Sequence, residues 1–397
     1  MGHWTDDNRV EVDGGGAGAG DLVLDAWGIQ KVSTVHSLFH GMWTYDIPPS
    51  MWHMYENGTQ VYTSTDITSS GGMAKLLTTA SNTVLRLESR ECPRYQPNRG
   101  VLYSTALFCP DATADGVRDW GLFTTENGVF FRLKSDGKLY AVLRRGSSEV
   151  LEQEITTSGL TGFDVTKNNL YDIQFQWRSA GNYLFYIGDP ATGQSKLVHT
   201  FNLLGTLAVA SMENPALPIA YKATRTTENV EMHIGCADVS SENGSLEQHQ
   251  YGSIHAENIS VVTGSEQPVL SVHSPLQINS ETNTRTVQLA RVTVFCDKKA
   301  EFHVYTSRDS TALTGASFSA IGNGSYIESD TSATAFTVAK CKFVTAIPTP
   351  ANTRTEVDNP LRERIRFPLV RGDYLIITCE PSANGTVDAV IEWGEQI

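Results

Sequence analysis

The amino-acid sequence predicts an all-β protein that consists of two β-sandwich, jelly-roll-like domains behind a flexible N-terminal arm. Two observations lead to this fold class. Short runs of β-branched and aromatic residues recur along the chain, with turn-forming residues between them. Charged residues make up only 19% of the chain, whereas Ser, Thr, Gly and Asn are abundant, and this composition suits strands better than helices. The best helix candidate, 203–211, is short and weakly patterned.

The clearest β pattern lies within residues 95–145. Four apolar runs follow one another in this stretch, at 101–108, 120–123, 129–133 and 139–143. Asn127-Gly128 and Asp136-Gly137 lie between these runs, and such pairs are strong signals of hairpin turns. We therefore expect three or four antiparallel strands here. Because hairpin turns of this type need left-handed backbone, we also expect a positive φ at Gly128.

Further strands complete each domain. The segment 169–178 alternates between apolar and polar residues, which indicates a strand with one buried face. In the first domain the other predicted strands are 61–65, 84–87, 150–156, 183–188, 196–201, 217–221 and 230–237. In the second domain they are 268–274, 287–296, 301–307, 316–321, 335–343, 364–369, 374–380 and 387–393. Short strands joined by turns in this way are typical of a small sandwich.

Changes in composition set the domain boundaries. Residues 1–21 are polar and then glycine-rich, so they lack the apolar content for a core and are predicted to form the flexible arm. Polar stretches at 240–252 and 264–268 mark the end of the first domain. We therefore place the large sandwich at 22–265 and the small C-terminal sandwich at 266–397.

The predicted arm carries three apolar side chains that are unusual for a solvated tail, those of Trp4, Val10 and Val12. Val10 and Val12 flank Glu11, and this alternation fits an extended segment that adds a strand to a neighbouring subunit. In that mode the main chain supplies hydrogen bonds and alternate side chains fill pockets. We expect the arm to anchor the protein to its neighbours.

An aromatic-rich stretch lies at 36–58 and contains Trp43 and Trp52. Its histidines are His36, His40 and His53. The stretch could form a ligand cleft or metal site, cross one face of the sandwich, or contact another subunit. Histidines without a helix to hold them are poor metal ligands. We therefore predict no metal site here, and crossing segment and subunit contact stay open.

The net charge and the cysteines limit which classes of partner and which cellular compartment the sequence suggests. The net charge of -14 and a pI of about 5.2 argue against a nucleic-acid partner. No apolar stretch is long enough for a membrane span, and the N-terminus resembles neither a signal peptide nor a myristoylation signal. The cysteines are scattered singly, without the spacing of a zinc site, so we expect free thiols in a reducing compartment.

The known catalytic motifs are missing from the sequence, and we predict no enzyme activity and no cofactor. A carboxylate pair could serve a glycosidase, but none of Asp6-Asp7, Glu126 or Glu152/Glu154 is singled out by its spacing. The loops 111–119 and 189–194 hold oxygen ligands for calcium, yet ordinary turn chemistry explains them better.

Basic residues at 362–366 alternate with other residues. The members of this alternation are Arg362, Arg364 and Arg366, which a strand would place on one face. They could blunt a solvated edge strand, or they could contact an acidic neighbouring subunit. Both interpretations stay open.

A set of motif residues within 95–145 is shared with a known protein family. These residues are Tyr95, Gln96 and Pro97; Arg118, Gly121, Leu122 and Phe123; Asn127, Gly128, Val129, Phe130 and Phe131; and Val142, Arg144 and Arg145. The match continues through 164–177, 212–222 and 313–336, so it covers about 85–337. On these residues the chain resembles a family of tailed-bacteriophage virion structural proteins. The resemblance implies structural roles for residues of the matched segments. Asn127-Gly128 would form a turn, Phe130 and Phe131 would take part in packing, and Trp120 and Trp177 would be core anchors.

The resemblance implies a non-enzymatic structural component of a bacteriophage virion, an accessory protein on the outer surface of the head or tail. It implies partners among the capsid or tail proteins, a homo-oligomer with a trimer as the leading expectation, and assembly in the host cytoplasm. The alternative is a tail-associated receptor-binding module that recognises a host surface glycan. Exposed Trp and Tyr on a sandwich face would favour this alternative, and buried ones would favour the structural role.

Overall fold

The computed structural model describes residues 3–4, 9–11, 22–23, 35–97, 99–242, 249–322, 325–358 and 368–396. These residues confirm the all-β fold class, since strands alternate with turns and the one helical segment among them is a single 3₁₀ turn, Val338–Lys340. The chain divides into two compact units, Met1–Leu246 and Glu247–Ile397. Among the described residues, no helix has the length and apolar character needed to cross a bilayer.

The first unit contains strands β1 to β19. Their bounds are β1 His3–Trp4, β2 Arg9–Glu11, β3 Leu22–Val23, β4 Val35–Met42, β5 Trp52–Glu56, β6 Thr59–Val61, β7 Ile67–Ser70, β8 Met73–Leu77, β9 Val84–Ser89, β10 Val101–Phe108, β11 Gly116–Phe123, β12 Gly128–Leu133, β13 Leu139–Arg145, β14 Ser148–Glu154, β15 Asn169–Phe175, β16 Asn182–Gly188, β17 Ser195–Asn202, β18 Ile219–Arg225 and β19 Glu231–Glu242.

Two eight-stranded antiparallel sheets make up most of this unit. Sheet 1 has the order β17-β16-β15-β10-β19-β8-β7, and β4 also pairs with β19. Sheet 2 has the order β14-β13-β12-β11-β18-β9-β5-β6. Along each strand successive side chains point to opposite faces, so every strand gives one face to the interior and one to the outside.

The inward faces of the two sheets form one aromatic core. The ring of Trp120 on β11 lies 5.0 Å from that of Tyr171 on β15, measured between centroids. The ring of Phe131 on β12 lies 5.1 Å from that of Phe185 on β16. These contacts join strands of different sheets, and all four side chains are fully buried. The first unit is therefore a β-sandwich.

The second unit contains β20 to β34. Their bounds are β20 His249–Val261, β21 Gln267–His273, β22 Gln277–Ile278, β23 Glu281–Thr282, β24 Val287–Cys296, β25 Ala300–Ser307, β26 Leu313–Thr314, β27 Ser319–Gly322, β28 Ser325–Asp330, β29 Ala335–Phe336, β30 Cys341–Thr349, β31 Thr353–Asp358, β32 Pro368–Leu369, β33 Tyr374–Pro381 and β34 Gly385–Gln396. A five-stranded sheet around β34 and β24 and a six-stranded sheet around β33 and β25 supply its core. Two short pairs, β22-β23 and β26-β29, complete the unit.

The division between the units falls earlier than the predicted boundary at 265/266. Strand β20 belongs to the second unit, where it pairs along its length with β34. Its sequence mixes small, polar and apolar residues, and its first part falls within the polar stretch predicted at 240–252. Because β34 is distant in the sequence, no local pattern predicts that β20 pairs with it.

Several strand predictions differ from the structure. The weak helix candidate at 203–211 consists of turns, and most of 61–65 lies outside β6. The single strand predicted at 335–343 is divided into β29, the 3₁₀ turn and the start of β30. The sequence prediction omitted β4, because glycine and histidine interrupt its apolar pattern. Most of the predicted strand at 364–369 lies outside the described residues.

The described part of the predicted arm pairs with itself. His3 and Trp4 are opposite Glu11 and Val10, and the next strand, β2, also pairs with β3. These three short strands form a sheet of their own. The main chain around Val10 is thus paired within this chain, and the role of the arm as an anchor to neighbouring subunits stays a prediction. Val12 lies outside the described residues.

The cysteines, which all lie within the described residues, are thiols that form no disulfide, in agreement with the prediction. Burial raises the pKa of the Cys109 thiol to about 12, so this side chain stays protonated and unreactive at neutral pH. In the second unit Cys296 and Cys379 lie within the same buried core. These three buried cysteines therefore act as small apolar side chains.

The turn between β11 and β12 differs from the predicted one. Gly128 does not have a positive φ, so that prediction was wrong. The Thr124 hydroxyl instead accepts hydrogen bonds from the backbone N–H groups of Glu126 and Asn127, at 3.1 and 3.0 Å. The Thr124 N–H donates to the Asn127 carbonyl at 2.7 Å, which closes the loop. The other turn signal behaves as a hairpin glycine should, since Gly137 has a φ of 75°.

Gly128 is nevertheless needed, because its neighbour across the sheet is too close for a side chain. A Cβ on Gly128 would lie 2.8 Å from the Cα of Phe123 and 3.0 Å from the Leu122 carbonyl oxygen. We expect Gly128→Ala to lower the free energy of unfolding by about 1–3 kcal/mol, as overpacking does. Gly159→Ala is the matched control, since its Cβ would meet only the flexible end of Lys196 at 3.5 Å. Equal urea midpoints for the two variants would contradict this account.

Candidate functional site

The outer face of sheet 2 carries a dense group of charged side chains. On β11 and β12 the side chains of Trp120 and Phe131 fill the core, so those of Asp119 and Arg132 point outwards. The same alternation on β18 sends Tyr221 inwards and Lys222 outwards. We call this group the ionic face; its members are Arg86, Glu88, Asp119, Arg132, Arg144, Glu149, Glu152 and Lys222.

Strand register brings these side chains into a row across the sheet. Arg86 is opposite Lys222, and Lys222 is opposite Asp119. Asp119 is in turn opposite Arg132. Adjacent strands lie about 4.8 Å apart, so each member of the row is within reach of the next. Along the middle of sheet 2 the row therefore consists of two adjacent cations, then one carboxylate, then a third cation.

Arg132 is the centre of the ion pairs on this face. Its Nε and Nη2 donate to the two Asp119 oxygens at 2.7 and 3.1 Å. Its Nη1 and Nη2 donate to the two Glu149 oxygens at 2.7 Å each, and Nη1 also reaches Glu152 at 3.1 Å. The hydrogen bonds from Arg132 hold the pKa of Glu149 below its usual value. This geometry keeps the Glu149 carboxylate ionised and holds all three carboxylates in place.

Aromatic rings lie beneath the charges. Phe123 and Phe130 are buried on the outer face, where they pack with Val142 and Ala220. The guanidinium of Arg144 lies 4.8 Å from the centre of the Phe130 ring. Those of Arg132 and Arg86 lie 5.4 Å from Phe130 and 5.6 Å from Phe123. The arginines thus cover the rings while they bind the carboxylates.

Lys222 differs from the other cations of the ionic face. Its ammonium group makes no hydrogen bond and no ion pair with the described residues, although it is partly exposed to solvent. Burial lowers the pKa of Lys222; Asp119 opposes this effect, and Arg144, Arg86 and Arg132 add to it. Each arginine, by contrast, has a carboxylate partner.

The carboxylates of the ionic face are all held by cations. Arg86 pairs with Glu88, and Lys134 holds Glu152 at 2.6 Å in addition to its contact with Arg132. A glycosidase needs one carboxylic acid that keeps its proton to protonate the leaving group. A neighbouring cation favours the ionised form of a carboxyl group instead. The arrangement suits ionic cross-linking of strands better than acid catalysis.

The tryptophans predicted as structural or interface residues lie in the core of the first unit. Trp43, Trp52 and Trp120 are buried, and the rings of Trp43 and Trp52 are 5.3 Å apart. Trp177 is partly buried and donates from Nε1 to the Met212 carbonyl at 3.1 Å. Their burial leaves the first three unavailable to another subunit. Tyr45 is the exposed aromatic residue of the 36–58 stretch, with 94% of its surface accessible.

The other residues of the resemblance motif are packing residues. Tyr95 is buried against Phe175 and Trp177, with ring centroids 6.4 and 5.8 Å apart. The side-chain oxygen of Asn127 accepts a hydrogen bond from the Glu213 N–H at 3.0 Å. The two adjacent phenylalanines point to opposite faces of the sheet, since Phe131 lies in the core and Phe130 on the outer face.

Five of the predicted interface residues are not described. Arg362, Arg364 and Arg366 lie outside the described residues, as do the side chains of Trp4 and Val10.

The structure does not bring the three histidines together. His36 and His40 are exposed on β4 of sheet 1, whereas His53 is buried on β5 of sheet 2. In the described ranges no group of three potential ligands could hold a metal ion. In the loop considered for calcium, one Asp111 oxygen binds Arg118 at 2.7 Å and the other accepts the Glu231 N–H at 2.8 Å.

Sequence reasoning did not select Arg86, Glu88, Asp119 or Lys222. A signal was present, since charged residues alternate with buried apolar ones in VLRLES and in IAYKATR. The alternation predicts an outward charge on each strand. It does not say which strands are adjacent, and β9 and β18 are separated by more than half of the first unit.

No family model matches the sequence, and no curated protein matches it either. Solved structures with a similar arrangement of strands include an endo-acting O-glycanase of the human gut microbiota, at 12% identity and a TM-score of 0.38, with 52% of this chain and 100% of that chain covered. A glycosyl hydrolase family protein from Mycobacterium fortuitum has 13% identity and a TM-score of 0.38, over 51% and 99% of the two chains. Arcelin-5, a lectin-like defence protein from Phaseolus vulgaris, has 10% identity and a TM-score of 0.34, over 51% and 97%. Similarity at this level transfers no activity to this chain.

Proposed function

We propose that the protein is a non-enzymatic structural component of a bacteriophage virion, an accessory protein on the outer surface of the head or tail. The virion assignment rests on the sequence motifs shared with phage structural proteins between Tyr95 and Arg145. In this proposal its partners are capsid or tail proteins and further copies of itself, with a trimer as the expected assembly. It assembles in the host cytoplasm and stays with the particle.

The observation that supports a non-enzymatic role is the ionic face. Several carboxylates lie side by side on this sheet surface, and each of them is bound by an arginine or a lysine. Buried tryptophans point in the same direction, because the indole rings of Trp43, Trp52 and Trp120 cannot stack on a glycan. Burial of Trp43, Trp52 and Trp120 strengthens the sandwich instead.

Immunogold labelling of intact particles tests the virion role. Antibodies raised against the recombinant chain should decorate phage particles at regular positions on the head or on the tail. Preimmune serum and particles of an unrelated phage serve as controls. Antibodies that label only free protein in the lysate, and never particles, would overturn the proposal.

A separate assay addresses catalysis. The recombinant chain should release no reducing ends from β-1,3-glucan or from mucin-type glycans, because no carboxyl group of the ionic face is free to act as an acid. A commercial glucanase in the same buffer is the positive control. Turnover that disappears in a Glu88→Gln or an Asp119→Asn variant would place an active site on this face.

A further inference from the structure

Lys222 and Arg86 form a pair of donors without enough acceptors on the ionic face. The two residues are directly opposite each other on β18 and β9. The Lys222 ammonium makes no hydrogen bond or ion pair with the described residues. The buried Nε–H of Arg86 likewise has no acceptor, although its Nη2 donates to the Phe123 carbonyl at 3.1 Å. Of these two donors, the partly exposed Lys222 ammonium is the one that a ligand can reach, and an unpaired charge in a partly desolvated place favours an acceptor.

The charged groups around Lys222 favour the binding of an anion there. The groups that act on its ammonium are the guanidiniums of Arg86, Arg132 and Arg144, together with the Asp119 carboxylate. Asp119 is already held by Arg132 through two hydrogen bonds, so it does not neutralise Lys222. The arginines have carboxylate partners of their own. Lys134 holds Glu152 at the edge of this face, so five cations meet four carboxylates there and one positive charge remains without a counter-ion.

From these observations we propose that the outer face of sheet 2 has a binding site at Lys222 and Arg86 for the carboxylate group of an acidic sugar. This site goes beyond the virion role and does not depend on it. A single uncompensated charge matches a monoanion such as a carboxylate, whereas a phosphate dianion would bring excess negative charge next to Asp119 and Glu88. A planar carboxylate can also accept from the ammonium and from a guanidinium N–H at the same time.

The position of the site within the sheet favours a sugar over a peptide. Strand β18 is paired on both sides, with β9 and with β11, so its main-chain groups are used in the sheet. Extended peptides bind where a strand edge leaves main-chain groups unpaired, and that condition is not met here. The partly exposed ring of Tyr55, opposite Arg86 on β5, adds an apolar surface beside the cations.

The test compares acidic and neutral saccharides on the full chain by saturation-transfer NMR and calorimetry. The probes are trigalacturonic acid and 3′-sialyllactose, with lactose as the neutral control, and poly-L-glutamate and inorganic phosphate as alternative anions. We expect at least one acidic saccharide to bind and lactose not to bind. Lys222→Met should weaken this binding at least about tenfold, the loss typical of a charge-assisted contact.

Lys134→Met is the matched control, because Lys134 lies at the edge of the same face but already has Glu152 as its partner. It should change the affinity less than about twofold, as expected for a residue outside the site. Lys222→Arg should restore part of the binding. The site is overturned if neither acidic saccharide binds, if lactose or phosphate binds equally well, if poly-L-glutamate is preferred, or if Lys222→Met binds as the wild type does.

A second readout does not depend on the folding of a variant. Reductive methylation of the wild-type chain, mapped by mass spectrometry, reports the accessibility of each lysine. Trigalacturonic acid should slow the methylation of Lys222 several-fold and leave that of Lys134 unchanged. Equal rates at Lys222 with and without the saccharide would overturn the site. Neither measurement uses particles, so failure here is distinct from failure of the virion role.

Discussion

Replacement of Trp120 by alanine is expected to lower the free energy of unfolding by about 3–5 kcal/mol, the range for deletion of a fully buried aromatic side chain. The Trp120 ring lies between the two sheets, 5.8 Å from the Phe131 ring and 5.0 Å from that of Tyr171. Its removal would leave a cavity that paired strands on both sides cannot close. Urea unfolding of the full chain, followed by far-ultraviolet circular dichroism, measures the effect without relying on tryptophan fluorescence.

Trp177→Ala is the control for this experiment. Trp177 is only partly buried, and it packs at the margin of the core against Tyr95. Its loss should cost clearly less than that of Trp120, because fewer neighbours lose contacts. Equal destabilisation by the two substitutions would show that Trp120 does not hold the sheets together. Hydrogen exchange in peptides from β11 and β15 should rise together in Trp120→Ala.

Asp111→Ala should destabilise the first unit by about 2–4 kcal/mol, since it removes the carboxylate partner of a buried arginine. The Arg118 side chain is fully buried, and its Nη2 binds both a carboxylate oxygen and the main-chain carbonyl of Asp111. The second carboxylate oxygen of Asp111 accepts the N–H of Glu231 at the start of β19. The substitution would leave the buried Arg118 charge without its counter-ion and the Glu231 N–H without its acceptor.

The control for Asp111 is Glu154→Ala, which breaks an exposed ion pair with Lys138. Exposed pairs contribute about 0–1 kcal/mol, so its urea midpoint should move little. Asp111→Asn should fall between the two, because the amide keeps an acceptor and loses the charge. If Asp111→Ala were as mild as Glu154→Ala, water would have to reach Arg118, and the loop at 109–115 would be looser than the structure indicates.

Local patterns predicted much of the fold. The strand at 101–108 was predicted with its observed bounds, and so was the one at 287–296, because both have regular apolar patterns and clear turn residues beside them. Prediction failed where structure depends on partners distant in the chain. β20 is an example, since its polar residues become a strand only through β34. Gly128 is another, because proximity to Phe123 and not a positive φ requires a glycine there.

The candidate site was less predictable than the fold. Alternation shows that Arg86 and Lys222 each point away from a core, yet nothing local shows that β9 and β18 are neighbours. The order of strands in the sheet decides which charged side chains meet. That order is set by the burial of residues such as Tyr221 and Leu87 on the inward faces of the same strands. The tryptophans were conspicuous in the sequence for their size, and they turned out to stabilise the core.

The position of β14 at the end of sheet 2 has a consequence for the protein at high concentration. A strand with one unpaired edge is a template on which another molecule can extend the sheet and begin an aggregate. Glu149, Glu152 and Glu154 lie along β14, and their side chains stay partly accessible. A second β14 added in antiparallel fashion would bring further glutamates close to carboxylates whose cations are already engaged within this chain. The like charges therefore oppose edge-to-edge growth, and many copies can be crowded together without their sheets fusing.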